Sequence, residues 1–323
     1  METLEPIQQT LSEIDKRIPD ALRAALGLRN RASRAPVDAD ITSFLATLEQ
    51  LRVRERGDDD DPDGSVVNGD DAEPRALRMD WASCYAPRHD EDAHFGHDET
   101  GVIGVADGVG GCRRPGVDAA AFSRGLMTSA FMQVLAVEPG TPVCPYTLLD
   151  RAYEETVALN TPGGSTAVIL SLAGTTLTWA YIGDSAFAVF RDGRLLHRSQ
   201  RQQKSFNHPF QLNSNRTGDS IAEANRGEIT LRHGDVVVVG TDGLFDNVFD
   251  AELERVVRMG TALGFSPKHM ADVVAGLDYE ISMSAVRDSS YSVDSRKQRR
   301  DGRCGGKPDD ITVVFAFIVP SYF

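Results

Sequence analysis

Four times in this chain a short run of apolar, mostly β-branched residues meets an aspartate at one end. GVIGVA (101–106) stops at Asp107, which is followed by Gly108, Val109, Gly110 and Gly111. VVVVGT (236–241) stops at Asp242, with Gly243 next and Asp246 four residues on. Asp309 and Asp310 precede ITVVFAF (311–317), and Asp184 lies between two strand-like runs in IGDSAF (182–187). Apolar runs of this length bounded by turn residues read as buried strands. Glu91 and Asp92 sit in a polar run ahead of the strand that leads to Asp107. An Asp-Gly pair after a single strand is ordinarily a turn. Several carboxylates at strand ends can instead converge on one edge of a sheet, where they would repel and raise one another's pKa. A bound cation relieves this, and an all-oxygen ligand set selects hard ions, Mg²⁺ or Mn²⁺, rather than zinc. Glycine after Asp107 would let a backbone carbonyl or a water reach such an ion.

The rest of the chain frames these runs. Ser165–Leu172, Thr175–Ile182 and Ser185–Arg191 are strand-like, and Asp192-Gly193 signals a hairpin turn. Asp118–Leu135 and Leu148–Leu159 read as helices, and Ser266-Pro267 opens another as N-cap and first helical residue. Consecutive hairpins with helices grouped beside them point to an α+β fold with antiparallel sheet. Near the N-terminus, Leu4, Ile7, Leu11, Ile14 and Ile18 recur at helical spacing, and a second set follows at Ile41, Phe44, Leu48 and Leu51. Residues 57–74 are acidic and contain Gly and Pro, the texture of a flexible linker. The expected organisation is therefore a helical extension (1–56), a linker (57–74) and a folded domain (75–323). An exposed apolar stripe on the N-terminal helices would serve a partner, self-association or packing on the domain.

Charge narrows the partners. The net charge of -14 argues against nucleic acid, whose phosphates demand Lys and Arg. More than half of it comes from Asp58, Asp59, Asp60, Asp61, Asp63, Asp70, Asp71 and Glu73. No apolar run approaches the ~18 residues of a membrane span. The four cysteines have no CxxC spacing and read as reduced thiols. Lys16, Arg17, Arg23, Arg29, Arg31 and Arg34 give the N-terminus the basic character of a mitochondrial transit peptide. Glu2, Glu5, Glu13, Asp15 and Asp20 do not suit one. The expected compartment is the cytoplasm, with the mitochondrion as the alternative.

Six stretches taken in order, EDAHF (91–95), VADGVGG (105–111), GGSTAVIL (163–170), IGDSAFAVF (182–190), VVVGTDGLFDN (237–247) and KPDDITVVF (307–315), resemble the protein phosphatase 2C family of metal-dependent Ser/Thr phosphatases. QRQQKSFNHPFQL (200–212) is similar to a branch with mitochondrial members. The resemblance implies two packed antiparallel sheets flanked by helices, with two Mn²⁺ or Mg²⁺ ions at one end and a weaker third. It implies that Asp107 bridges both ions, that the Gly108 carbonyl serves one, and that Asp242 and Asp309 are further ligands. Glu91 matches the acidic residue that reaches the second ion directly or through water. Asp184 and Asp246 match the third position. Asp92 and Asp310, the latter often Asn in the family, would orient the ligands from outside. The implied substrate is a phosphorylated protein. The implied reaction is in-line attack by a water that bridges the ions, without a phosphoenzyme. No cysteine is followed by Arg six residues later, as a cysteine phosphatase loop would require. Two positions depart from the family. Val109 stands where many members carry a histidine proposed as general acid, with His94 nearby. Arg88, the candidate phosphate ligand, is displaced by one from the family spacing.

Other motifs fail on context. GGSTA (163–167) lacks the strand-to-helix turn of a nucleophile elbow, so Ser165 reads as core. GRCGGKP (302–308) has Pro308 where a phosphate loop needs Ser or Thr, and GVGGCR (108–113) puts Arg113 at the third glycine of a dinucleotide fingerprint. His89 and His94 lack zincin spacing. Arg296, Lys297, Arg299, Arg300 and Arg303 read as a basic loop before Asp309. The rival functions are a catalytically inactive scaffold of the same fold that binds phosphoproteins, and an interaction module carried by the N-terminal helices.

Overall fold

The structure is a computed structural model that describes residues 76–109, 118–138, 140–299 and 302–321. The helical extension and acidic linker expected over 1–74 lie outside the described residues. In chain order the strands begin with β1 (Leu77–Ala86), β2 (Asp92–His97) and β3 (Val102–Asp107), and helices α1 (Ala120–Leu135) and α2 (Pro145–Ala158) follow. Next come β4 (Gly164–Ser165), β5 (Ala167–Ala173), β6 (Thr176–Ile182), β7 (Ala186–Arg191), β8 (Arg194–Arg198), β9 (Gln203–Ser205), β10 (His208–Pro209), β11 (Leu212–Asn213), β12 (Asn225–Thr230) and β13 (Val236–Gly240). Helices α3 (Asp242–Asn247), α4 (Asp250–Ala262), α5 (Pro267–Ser282) and α6 (Ser290–Arg299) precede the last strand, β14 (Ile311–Pro320).

Two five-stranded antiparallel sheets carry the fold, one in the order β1-β14-β13-β7-β8 and the other in the order β12-β6-β5-β3-β2. Alternation along each strand splits its side chains between two cores. Val237 and Val239 of β13 and Val314 and Ala316 of β14 point inward, against Ile103, Val105, Val168 and Leu170 of the other sheet. Val236, Val238, Val313 and Phe315 point the other way, onto Leu253, Val256 and Val257 of α4 and Met270, Val274 and Ile281 of α5. On the far side Ala106, Ile169 and Ala180 meet Phe122 and Leu126 of α1 and Leu149 of α2. The strands read as continuous apolar runs because both faces of each sheet are covered. The result is the four-layer α-β-β-α sandwich that the resemblance implies.

Local signals recur where expected. Asp192 and Gly193 take φ of 54° and 70° between β7 and β8, the left-handed pair of a tight hairpin. The Ser266 hydroxyl accepts from the His269 N–H at the start of α5. The basic run differs from the expectation: Arg296, Lys297 and Arg299 belong to α6 rather than to a loop. The helix sends Tyr291, Ser292 and Ser295 inward, a face too polar to show apolar periodicity. Arg296 forks onto Asp288 at 2.7 Å.

Candidate active site

Antiparallel pairing explains how the strand-end aspartates meet. β13 lies between β14 and β7, and Gly240 pairs with Val313 on one side and Ala186 on the other. The end of β13, where Asp242 follows, therefore adjoins the starts of β14 and β7, where Asp309 and Asp184 stand. In the other sheet Asp107 at the end of β3 pairs with Asp92 at the start of β2. Asp92 ties the sheets together at this end, because its Oδ2 accepts from the Thr241 hydroxyl at 2.8 Å and from the Thr312 hydroxyl at 2.7 Å. Asp310 gathers the preceding loop: its carboxylate accepts the backbone N–H groups of Arg88, His89 (2.5 Å), Asp90 (3.1 Å) and Glu91 (2.7 Å). A Cβ at Gly108 would fall 2.7 Å from the Glu91 carbonyl and 2.8 Å from that of Ala119. Close backbone packing is thus a further reason for glycine after Asp107.

A cavity of about 420 Å³ opens over this edge. Glu91, Asp107, Gly108, Val109, Asp242 and Asp309 line it, together with His89, Thr166, Asn207, His208, Pro209, Gln211 and Lys307. Burial raises the Asp107 carboxyl well above the ordinary range, and the charges of Asp242, Asp92, Asp309 and Asp184 raise it further. Burial and then Asp242 push Asp309 up to about 6. Burial acts against Asp242 too, but the Lys307 ammonium holds this carboxyl below its ordinary value. Among the described residues no three of His, Cys, Asp and Glu converge into a closed ligand shell as they stand. Lys307 Nζ lies between them, 2.5 Å from Asp242, 2.8 Å from Asp246 and 3.3 Å from Asp309. Asp107, Asp242, Asp309, Glu91 and the Gly108 carbonyl nonetheless offer one cavity an all-oxygen donor set whose charges repel. That chemistry fits hard divalent ions.

The other expected residues stand elsewhere. Asp184 and Asp246 do not line the cavity. Burial, then the charges of Asp242 and Asp246, push Asp184 up to about 7. Arg88 sends Nη1 to the Met283 sulfur at 3.7 Å and is not among the lining residues. His94 bonds the Ser83 hydroxyl at 2.9 Å, also away from the cavity, and burial lowers its pKa. Ser165 is fully buried and donates to the Asp107 carbonyl at 2.8 Å. Sequence reasoning missed His89, whose Nδ1 is 3.5 Å from Asp309 Oδ1, and missed Lys307 and Arg201 as partners of the aspartates. His89 is two residues before Glu91 and Lys307 two before Asp309, but that nearness alone does not say which way either side chain reaches.

Facing carboxylates at the common edge of two antiparallel sheets, flanked by paired helices, define the metal-dependent phosphatase class. Comparisons with known proteins give the family. Over 322 residues the chain is 56% identical to a relative from Oryza sativa subsp. japonica named protein phosphatase 2C 24, covering 99% of this chain and 100% of that one. It is 36% identical over 247 residues to the protein phosphatase PTC7 homolog fig of Drosophila grimshawi, covering 72% of this chain and 80% of that one. Among solved structures, the photosystem II phosphatase PBCP superposes with a TM-score of 0.67 at 31% identity, covering 74% of this chain and 98% of that chain. The catalytic domain of the phosphatase PstP, solved with 2 manganese ions, shares the fold at a TM-score of 0.53 and 22% identity, covering 75% of this chain and 99% of that chain. No family model matches the chain. The chain belongs to the protein phosphatase 2C family, a metal-dependent family, and its relatives include the PTC7 branch. It is a protein phosphatase. Among the described residues no helix is long and apolar enough to cross a membrane.

Proposed function

We propose that this chain hydrolyses phosphoserine and phosphothreonine in proteins, with Asp107, Asp242, Asp309, Glu91 and the Gly108 carbonyl holding two Mn²⁺ or Mg²⁺ ions. The observation that carries this reading is the convergence of these groups on one cavity, with Asp107 and Asp309 raised by burial and then by their neighbours' charge. When bound, the ions would supply a water nucleophile at neutral pH and Lewis-acid stabilisation of the phosphoryl oxygens. Asp107 is central because it faces Asp242, Asp309 and Asp92 together. Thr166 holds it in place by accepting its backbone N–H at 3.2 Å. Asp92 and Asp310 keep the two sheets and the 88–91 loop in register around the site.

The family's frequent acid position is Val109, so the leaving oxygen takes its proton from elsewhere. His89 lines the cavity and is partly exposed, and histidine is the side chain that most often serves as a general acid. We assign it that role. Catalysis is assigned to residues 75–323, with residues 1–56 as an extension that takes no part in the chemistry.

The test is hydrolysis of p-nitrophenyl phosphate and of a phosphothreonine peptide after dialysis against EDTA, with and without added Mn²⁺ or Mg²⁺. Turnover should be absent without metal and return with it. Full turnover in excess chelator would overturn the ion reading. A metal-loaded chain that binds the peptide without cleaving it would be a scaffold.

A further inference from the structure

Lys307 enters the acidic cluster from the loop before β14, and its backbone is held at both ends. Its N–H donates to Asn247 Oδ1 at 2.8 Å, and its carbonyl accepts from Asn247 Nδ2 at 2.9 Å. Asn247 is fully buried at the end of α3, and its Nδ2 also donates to Asp278 Oδ1 and to the Gly243 carbonyl at 2.9 Å. The side chain so aimed presents the three donors of its ammonium to the Oδ2 atoms of Asp242 (2.5 Å), Asp246 (2.8 Å) and Asp309 (3.3 Å). The Tyr291 ring lies 5.5 Å away, within the range in which an aromatic face attracts a cation.

All but one of the carboxylate oxygens of Asp246 and Asp184 are also committed. Asp246 Oδ1 pairs with Arg201 Nη1 at 2.9 Å, and the same guanidinium donates to the Phe245 carbonyl at 2.5 Å. Asp184 Oδ2 accepts from Gln203 Nε2 at 2.8 Å, which leaves Asp184 Oδ1 as its one buried oxygen without a hydrogen bond. A hard divalent ion wants about six oxygens around it. Here it would find one uncommitted carboxylate oxygen, and two fixed cations already answer the charge of Asp246. Asp242 and Asp309 each give Lys307 only Oδ2, and Asp309 Oδ1 also accepts the Asp310 N–H at 3.0 Å.

The third position therefore does not fit an ion. Resting on the two-ion reading above, we propose that the Lys307 ammonium, held between Asp242, Asp246 and Asp309, is a tethered cation that takes the place of a third divalent ion at the position of Asp184 and Asp246. This phosphatase then binds two ions and no third. Lys307 is a positioning residue: its ammonium fixes Asp242 and Asp309.

The count of bound Mn²⁺ tests this. The full chain is titrated to millimolar Mn²⁺, and free Mn²⁺ is read by its electron paramagnetic resonance signal. Wild type should bind two ions. Lys307→Met empties the position and should bind three, and Asp246→Asn added to it should return the count to two. Should Lys307→Met not fold, Lys307→Gln keeps a polar head of similar reach and takes the same count. Three ions in the wild type would overturn the tether while leaving the two-ion site standing. Two ions in both the wild type and the folded variant would overturn it as well. Fewer than two in the wild type would overturn the two-ion reading and the tether with it.

Discussion

Asp107 illustrates what one residue can be asked to do. Its carboxyl is raised first by burial and then by four other aspartates, a charge that a bound cation would relieve. Asp107→Asn removes the charge and keeps the shape. At saturating Mn²⁺ its kcat on p-nitrophenyl phosphate should fall by ~10²–10³ or more, the range for losing a central electrostatic group; near-normal turnover would misplace the site. His89→Gln should separate substrates instead. p-Nitrophenolate leaves without a proton, whereas the serine alkoxide needs one. Loss on a phosphoserine peptide should be roughly 10²-fold, within the usual range for a general acid, and much smaller on p-nitrophenyl phosphate. Equal losses on both would give His89 a structural role. The aspartates were legible in the sequence because each abuts a strand, and a strand end has a defined place in a sheet. Lys307, Arg201 and His89 were not. A flexible cation finds its partner through tertiary register, and nothing local announces that an amine two residues before Asp309 reaches across to α3.

At the scale of elements, the loop 88–91 shows how a site borrows rigidity. It carries His89 and Glu91 to the cavity yet has no ladder of its own, and the Asp310 carboxylate at the foot of β14 gathers its four N–H groups. Asp310→Ala should leave buried donors unmatched at about 1–3 kcal/mol for such a group. It should lower the thermal midpoint and weaken Mn²⁺ binding together. Asp310→Asn keeps one acceptor oxygen and should lie between; a midpoint unchanged in the alanine variant would show that the loop is held otherwise. The strands β3, β5, β6, β7, β13 and β14 were readable, because two-sided burial makes them uniformly apolar, and so were helices α1, α2 and α5. The ten-residue β1, half-exposed along most of its length, the polar β2 and helix α4 were not. The two- and three-residue strands β4, β9, β10 and β11 were not, since so short a segment has no period. Helix α6 was missed because it buries Ser292 and Ser295 where a periodic helix would bury leucine.

Across the whole molecule, the sandwich gathers mutually repelling acids at one end, so stability, ions and pH must be linked there. Asp309 and Asp184 hold their protons more tightly in the folded chain than in the unfolded one, with values of about 6 and about 7 against an ordinary 3.8. A raised carboxyl contributes stability that is present below the ordinary value and is lost as pH climbs through the folded one. The ion-free protein should lose this contribution between about pH 4 and 7. Two other sets of groups act on the same scale. His94 and His197, lowered mainly by burial, add stability as pH rises from their lowered folded values to the ordinary histidine value, and the gain is complete above it. Asp288, lowered by Arg296, acts only below the ordinary carboxylate value. These groups lie away from the cavity and contribute equally with and without ions. The difference between the two states therefore isolates the acids at the site. Binding an ion requires deprotonated ligands and replaces the protons that held the acids apart. The rise in thermal midpoint produced by saturating Mn²⁺ should accordingly be small at pH 5 and grow steadily to pH 8. Differential scanning calorimetry at four pH values, each with Mn²⁺ and with EDTA, measures it. A rise that stays constant from pH 5 to 8 would mean that the ions do not bind at these carboxylates.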